Sequence, residues 1–124
     1  MPHPRQQLGL EGEDLACAEL QRRGYAILAR RYRSRFGEID IVGRDGGTLV
    51  FVEVKARRSD RLGSAAEQIT AHKQRRIAAM ALDYLAWSGR LESLCRFDVV
   101  AIDGFGTDRQ QIRVIQDAFP ARSR

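Results

Sequence analysis

The 124-residue chain is predicted to fold as an α/β domain built on a mixed sheet. Three observations lead there. A helix-period segment opens the chain, a strongly alternating hairpin follows, and a second helix-period segment precedes two more alternating runs. The length suits one domain with a single real core. An apolar fraction of 44% with ordinary glycine and proline content is that of a folded chain.

Residues 1–7 read as a loose leader, residues 8–117 as the domain and residues 118–124 as a flexible tail. From about Leu8 to Arg23 the pattern is helical, and Gly24 supplies a stop. At about 100° per residue, Gly9, Ala16, Cys17 and Leu20 share a face with Glu13 in its middle. Leu8 and Leu15 form a competing stripe on the opposite side, so the wheel alone leaves open whether Glu13 points inward.

Tyr25 to Tyr32 has the composition of a first strand. Arg22, Arg23, Arg30, Arg31, Arg33 and Arg35 crowd the approach to the hairpin. They read either as a solvated face or as guanidinium groups that hold a phosphate backbone, and the two readings are compatible.

The hairpin itself runs from Gly37 to Arg57, with its turn at Asp45-Gly46-Gly47. Val50, Val52, Val54 and Ala56 make one apolar face of its second strand, because side chains two apart share a face. Leu49, Phe51, Glu53, Lys55 and Arg57 make the other, which starts apolar and ends charged. If Gly46-Gly47 is the turn, Asp40 lies directly opposite Glu53, and Glu38 opposite Lys55. A turn at Asp45-Gly46 makes Asp40 a diagonal neighbour on the same face; an odd-length loop would separate the two. Facing carboxylates are destabilising unless something positive sits between them. A divalent cation with hard oxygen ligands suits that place, and Lys55 beside it can hold a water or a phosphate oxygen.

Arg57, Arg58 and Arg61 make the following loop basic. Ser64 and Glu67 have capping-box spacing, which favours a structural role for Glu67, and Thr70 is a second N-cap for a helix from Ala71 to about Ser88. Ile69, Ile77, Met80, Tyr84 and Leu85 form its core stripe. Lys73 falls on that stripe, either as a snorkelling stem or reaching for the carboxylates or a bound phosphate. Arg96 to Ile102 is another strand, Asp103 to Asp108 a turn, and Gln111 to Gln116 a short final strand.

The formal charge of +5 and a pI of about 9.9 favour polyanionic partners. Lys55 and Lys73 are the only lysines among many arginines. No apolar run is long enough to span a membrane, and the first residues carry no apolar signal core, so the cytoplasm is the expected location. Cys17 and Cys95 are expected to be reduced core thiols. Nucleotide-binding glycine loops are absent, His3, His72 and the cysteines lack zinc-ligand spacing, and no Gly-x-Ser-x-Gly elbow occurs. The carboxylate pair with its lysine remains.

Asp40, twelve residues, then Glu53-Val54-Lys55 is the Asp…Glu-x-Lys pattern of restriction-endonuclease-like nucleases. Around it stand Gly12-Glu13-x-x-Ala16, Gly24-Tyr25-x-Ile27-Leu28, Gly37-Glu38-Ile39-Asp40, Leu49 to Lys55, Glu67 to Lys73 and Arg96-Phe97-Asp98-Val99-Val100, in that order. Together they resemble the YraN family of small bacterial proteins related to Holliday junction resolvases, over about residues 9–103. Tyr32 departs from the asparagine of the family's Arg-Asn-x-Arg, at a position that touches no proposed ligand.

The resemblance implies a restriction-endonuclease-like α/β/α domain, its mixed central sheet flanked by helices, and metal-dependent phosphodiester hydrolysis. By that likeness Asp40 and Glu53 would ligate Mg²⁺ or Mn²⁺, with the Val54 carbonyl as a further ligand. Lys55 would position or deprotonate the attacking water, and Glu13, pointing inward, would complete the acidic cluster. Arg31, Arg33, Arg35, Arg57, Arg58 and Lys73 are the expected nucleic-acid contacts, with Lys73 matching a helix residue that supports the site in relatives. The expected activity is that of a nuclease on DNA, branched or structured DNA included, with DNA ahead of RNA. The alternative is a catalytically silent nucleic-acid-binding or assembly protein on the same scaffold. A surface salt-bridge ladder is the plainest reading of the same residues. No membrane partner is expected, and symmetric cutting of a four-way junction would require a homodimer.

Overall fold

The computed structural model describes residues 4–120, with side chains from residue 9 onward. Helix α1 (Pro4–Arg22) leads into strands β1 (Ala26–Ser34), β2 (Gly37–Asp45) and β3 (Thr48–Ala56). A short 3-10 turn (Ala66–Gln68) and helix α2 (Ala71–Trp87) precede β4 (Cys95–Asp103) and β5 (Gln111–Ile115). The five strands lie in sequence order, antiparallel throughout except for β3 and β4. That parallel pair requires a crossover, and α2 is the crossover helix. The result is the α/β domain with a mixed sheet that the sequence predicts, of the restriction-endonuclease-like kind.

Alternation along the strands builds a core on each side of the sheet. Val50, Val52 and Ile41 pack with Ala16, Cys17 and Leu20 of α1. Leu49, Phe51 and Val42 pack with Ile77, Met80, Ala81, Tyr84 and Leu85 of α2. The Gly9–Ala16–Cys17–Leu20 stripe is therefore the inward one, and it carries Glu13 inward, to 7% exposure. Both helices end on a glycine in the left-handed region, where a side chain would be strained. Gly24 (φ 95°) and Gly89 (φ 72°) let Tyr25 and Arg90 donate back to the Leu20 and Leu85 carbonyls.

Four expectations are corrected in detail. Helix α1 begins at Pro4, inside the expected leader, since proline suits a first turn whose N–H groups have no intrahelical partner; residues 1–3, with His3, lie outside the described residues. The expected tail is ordered at its start. Ala118 donates to the Phe97 carbonyl, and Phe119, 6% exposed, stacks on Phe97 at 4.9 Å, so apolar burial holds this segment; residues 121–124 lie outside the described residues. The Ser64–Glu67 capping box does not form, because the Ser64 hydroxyl donates to Asp103 (2.9 Å) and Glu67 pairs with Arg61 (2.7 Å). Thr70 does cap α2, accepting from the Lys73 N–H. Finally, Cys17 is a free buried thiol as expected, but Cys95 is only half-buried.

A polar network crosses the sheet away from the cleft described below. Asp98, 1% exposed, accepts from Tyr25 Oη (2.7 Å), Arg96 Nε (2.9 Å) and the Asp117 N–H (3.0 Å). Arg96 also bridges to Asp45 at 3.0 Å. Asp98 is buried and fully hydrogen-bonded by β4, Tyr25 and Asp117, which fits a structural role for the Arg96-Phe97-Asp98 segment.

Candidate metal and nucleic-acid cleft

The turn at Gly46-Gly47 pairs Asp45 with Thr48, and the ladder then runs inward to Ile41 opposite Val52. There the pairing stops, although β2 begins at Gly37 and β3 continues to Ala56. The expected facing of Asp40 with Glu53 and of Glu38 with Lys55 lies beyond the paired residues, and Ile39 and Ile41 pack in opposite cores, so strict alternation breaks at Asp40. In the fork so formed a side chain replaces the ladder, and Asp40 Oδ2 accepts the Val54 N–H at 2.8 Å. Burial pushes the Asp40 carboxyl up to about 8, and the adjoining Glu53 carboxylate adds to the rise against the Val54 N–H and Lys55. A cation placed there would take over the role of the proton that the buried Asp40 carboxyl otherwise holds.

Lys55 Nζ stands 3.8 Å from Glu53 Oε2. The Lys73 ammonium is pressed against that of Lys55, which lowers its proton affinity, and burial lowers it further. The only two lysines of the chain thus meet at the fork, one from β3 and one from the first turn of α2. Ammonium groups sharing a space favour an anion between them.

Two hollows open on the fork. The larger, about 620 Å³, lies on the α1 side and is lined by Glu13, Asp40, Glu53, Lys55, Arg57 and Arg58 among others. The smaller, about 190 Å³, lies on the α2 side, where Lys73 and Arg76 line it. Glu38, Glu53 and Lys55 line both, so these three side chains border the opening from either face of the sheet.

Glu13 reaches the larger hollow but is held by arginines. Arg31 Nε donates to Glu13 Oε1 at 2.9 Å, and an Arg30 Nη lies 3.7 Å from the same oxygen while bonding Asp14 at 2.8 Å. Successive strand residues should point to opposite faces, but Arg31 has φ 54°, and it and Arg30 both turn to α1. The β1–β2 pairing correspondingly omits Arg31 and Asp40. Among the described residues, no three acidic, histidine or cysteine side chains gather closely enough to cage a metal by themselves.

The expected site residues therefore divide. Asp40, Glu53, Val54 and Lys55 meet at the fork, with Glu13, Arg57 and Arg58 in the same hollow and Lys73 in the adjoining one. Arg31, Arg33 and Arg35 line neither: Arg31 holds Glu13, Arg33 pairs with Glu38 at 2.7 Å, and Arg35 covers the Phe36 ring at 4.9 Å. Arg76 and Phe36 were not singled out by the sequence. Arg76 is one of two adjacent arginines on α2, and Phe36 is a lone aromatic in a charged turn, so neither carries a periodic signal.

Residues 12–102 match the model of "Uncharacterised protein family UPF0102". A UPF0102 protein of Symbiobacterium thermophilum is 49% identical over 93% of this chain and 98% of its own length. One of Geobacter sulfurreducens is 48% identical over 94% and 91%, and one of Desulfosudis oleivorans 46% identical over 99% and 100%.

Proposed function

The chain belongs to the uncharacterised protein family UPF0102, the YraN family, and we propose that it is a metal-dependent nuclease hydrolysing phosphodiester bonds in DNA. The observation that carries this reading is the fork: where the ladder ends, the Asp40 carboxyl adjoins that of Glu53, with Lys55 beside Glu53. Burial first, and then the adjoining Glu53 carboxylate, raise the proton affinity of Asp40, and a cation between the two carboxylates would relieve the second of these. All its donors are hard oxygens, which suits Mg²⁺ or Mn²⁺. Too few carboxylates meet there to enclose an ion, as befits a cation that keeps waters and takes phosphate oxygens.

Asp40 and Glu53 would hold the cation, with the Val54 carbonyl as a further ligand and Glu13 contributing charge from α1. When bound, it would supply Lewis-acid stabilisation of the charge that develops on the phosphoryl oxygens. Lys55 orients the attacking water by hydrogen bonding and offsets negative charge as the phosphorus gains its fifth oxygen. Lys73 keeps a second positive charge beside Lys55 and lowers the cost of bringing a phosphate to it. Arg57 and Arg58 attract the backbone at the mouth of the larger hollow.

A catalytically silent nucleic-acid-binding protein is the second reading. It draws on the pairing of Glu13 with Arg31, which leaves that carboxylate engaged. Incubation with supercoiled, single-stranded and four-way-junction DNA in Mg²⁺ and in Mn²⁺ separates the two. Asp40→Asn and Lys55→Ala variants run beside the parent. The nuclease reading expects cleavage by the parent that both variants lose. Cleavage retained by both removes this site from the chemistry, and retention of DNA in a gel shift without cleavage selects the silent binder.

A further inference from the structure

The turn between β1 and β2 is built with more care than a connection needs. Only Arg35 and Phe36 separate the strands. The Ser34 hydroxyl accepts the Phe36 N–H at 3.0 Å and donates to the Gly37 carbonyl at 3.2 Å. Arg76, from α2, donates to the Phe36 carbonyl at 3.0 Å. Both backbone groups of Phe36 are therefore fixed. Gly37 adopts φ 129°, a backbone that strains any residue with a side chain, and a Cβ there would displace the Arg76 guanidinium that holds Phe36.

What this scaffolding presents is an aromatic ring in water. Phe36 is 40% exposed and belongs to neither core cluster. The Arg35 guanidinium lies 4.9 Å from its ring centre, and the Arg33 side chain is 83% exposed. A single exposed apolar side chain is ordinary. One locked on an apex, flanked by arginines and tied to the cleft is not. The ties are direct: Arg76, which holds Phe36, and Glu38, which holds Arg33, both line the α2-side hollow with Glu53, Lys55 and Lys73.

Building on the nuclease reading, we propose that Phe36, with Arg33 and Arg35, is a stacking site for an unpaired nucleotide beside the cleft. The ligand class is a single strand, a gap or a flap, as opposed to continuous duplex. A ring gains stacking energy only from a base that has left its own stack. Bases within a duplex are already stacked, so the ring contributes to unpaired strands alone, while Arg33 and Arg35 serve the phosphates of either.

Binding is measured without chemistry, in EDTA, by fluorescence anisotropy with single-stranded, gapped and continuous duplex oligonucleotides. A 2-aminopurine placed in the unpaired stretch reports stacking directly. The parent is expected to bind the single strand and the gap more tightly than the duplex. Phe36→Ala is expected to weaken the first two roughly tenfold to a hundredfold, to leave duplex binding within about twofold, and to abolish the 2-aminopurine quench. Phe36→Trp should retain the preference. Arg76→Ala keeps the ring but frees the turn, and should reproduce part of the loss. Equal binding of duplex and single strand by the parent, or an equal loss on both with Phe36→Ala, overturns the stacking site and leaves the nuclease reading standing. Failure to bind any nucleic acid in EDTA overturns the stacking site, and the cleavage assay in Mg²⁺ and Mn²⁺ decides the nuclease reading separately.

Discussion

Arg31 and Glu13 form an ion pair across the edge of the larger hollow, 2.9 Å from Nε to Oε1, and the arginine reaches it only through a left-handed backbone. Arg31→Ala and Arg31→Gly both delete the pair, but only glycine tolerates φ 54° without strain. Urea denaturation should find the glycine variant more stable than the alanine variant by about 1 kcal/mol. Equal midpoints would mean that the kink relaxes when the guanidinium is gone.

Asp40 is where function is set against stability. Asparagine can keep the Val54 hydrogen bond through its carbonyl and donate an N–H to Glu53, removing a sheltered negative charge. Asp40→Asn is therefore expected to raise the thermal midpoint in EDTA at pH 8, corresponding to roughly 1–3 kcal/mol. In excess Mg²⁺ the advantage should vanish, because the parent gains bound cation and the variant does not. A variant less stable than the parent in EDTA would show that the carboxylate is compensated without metal.

The pH dependence follows from the same carboxyl. Its affinity for a proton in the folded state lies at about 8, above the ordinary 3.8, so between those values the folded chain binds the extra proton. Stability without metal is then highest at the acid end of that window and falls as pH rises through it. A cation competes for the proton, so Mn²⁺ affinity should tighten as pH rises, approaching about tenfold per unit below pH 8. Calorimetry in buffers of different ionisation enthalpy should register close to one proton released at pH 6.5. No proton release would place the cation elsewhere.

Asp98 supplies the control. Replacing it with alanine leaves Arg96 and Tyr25 facing an empty, buried position. Guanidinium unfolding of Asp98→Ala should show a loss of about 3–5 kcal/mol, while Mn²⁺ affinity at a temperature where the variant is folded stays within twofold. A change in metal affinity larger than the change at Asp40 would assign the network to the site.

Glu53 and Lys55 were legible as one face of β3 by alternation, and the Gly46-Gly47 turn sets the register as far as Ile41 and Val52; the last step to Asp40 lies beyond the ladder. Helix α2 was legible because Thr70 begins it and Gly89 ends it. Glu13 was half legible: its wheel carried two stripes, and only packing against Val50 and Val52 decides between them. Arg31 was not legible as a partner of Glu13, because nothing in an arginine's identity announces a left-handed residue. The role of Ser64 is not legible locally, because its hydroxyl goes to Asp103, 39 residues away, a rival that local spacing cannot show. Phe119 carries no sequence signal of its burial, because a lone aromatic near a polar end has no period to betray it.

The early end of the β2–β3 ladder partitions one hairpin into a foundation and a workbench. Below Ile41 and Val52 the two strands are bonded to each other, and Val42, Leu49, Val50 and Phe51 are locked into the cores. Above that point Glu38, Glu53 and Lys55 stand on chain paired to β1 or β4, and Asp40, which neither ladder pairs, is tied to β3 only by its own side chain. Substitutions on the upper half can accordingly retune charge, ion preference or reach while the lower half keeps the domain folded. The same hairpin is thus a ready graft point for new chemistry, in nature or by design.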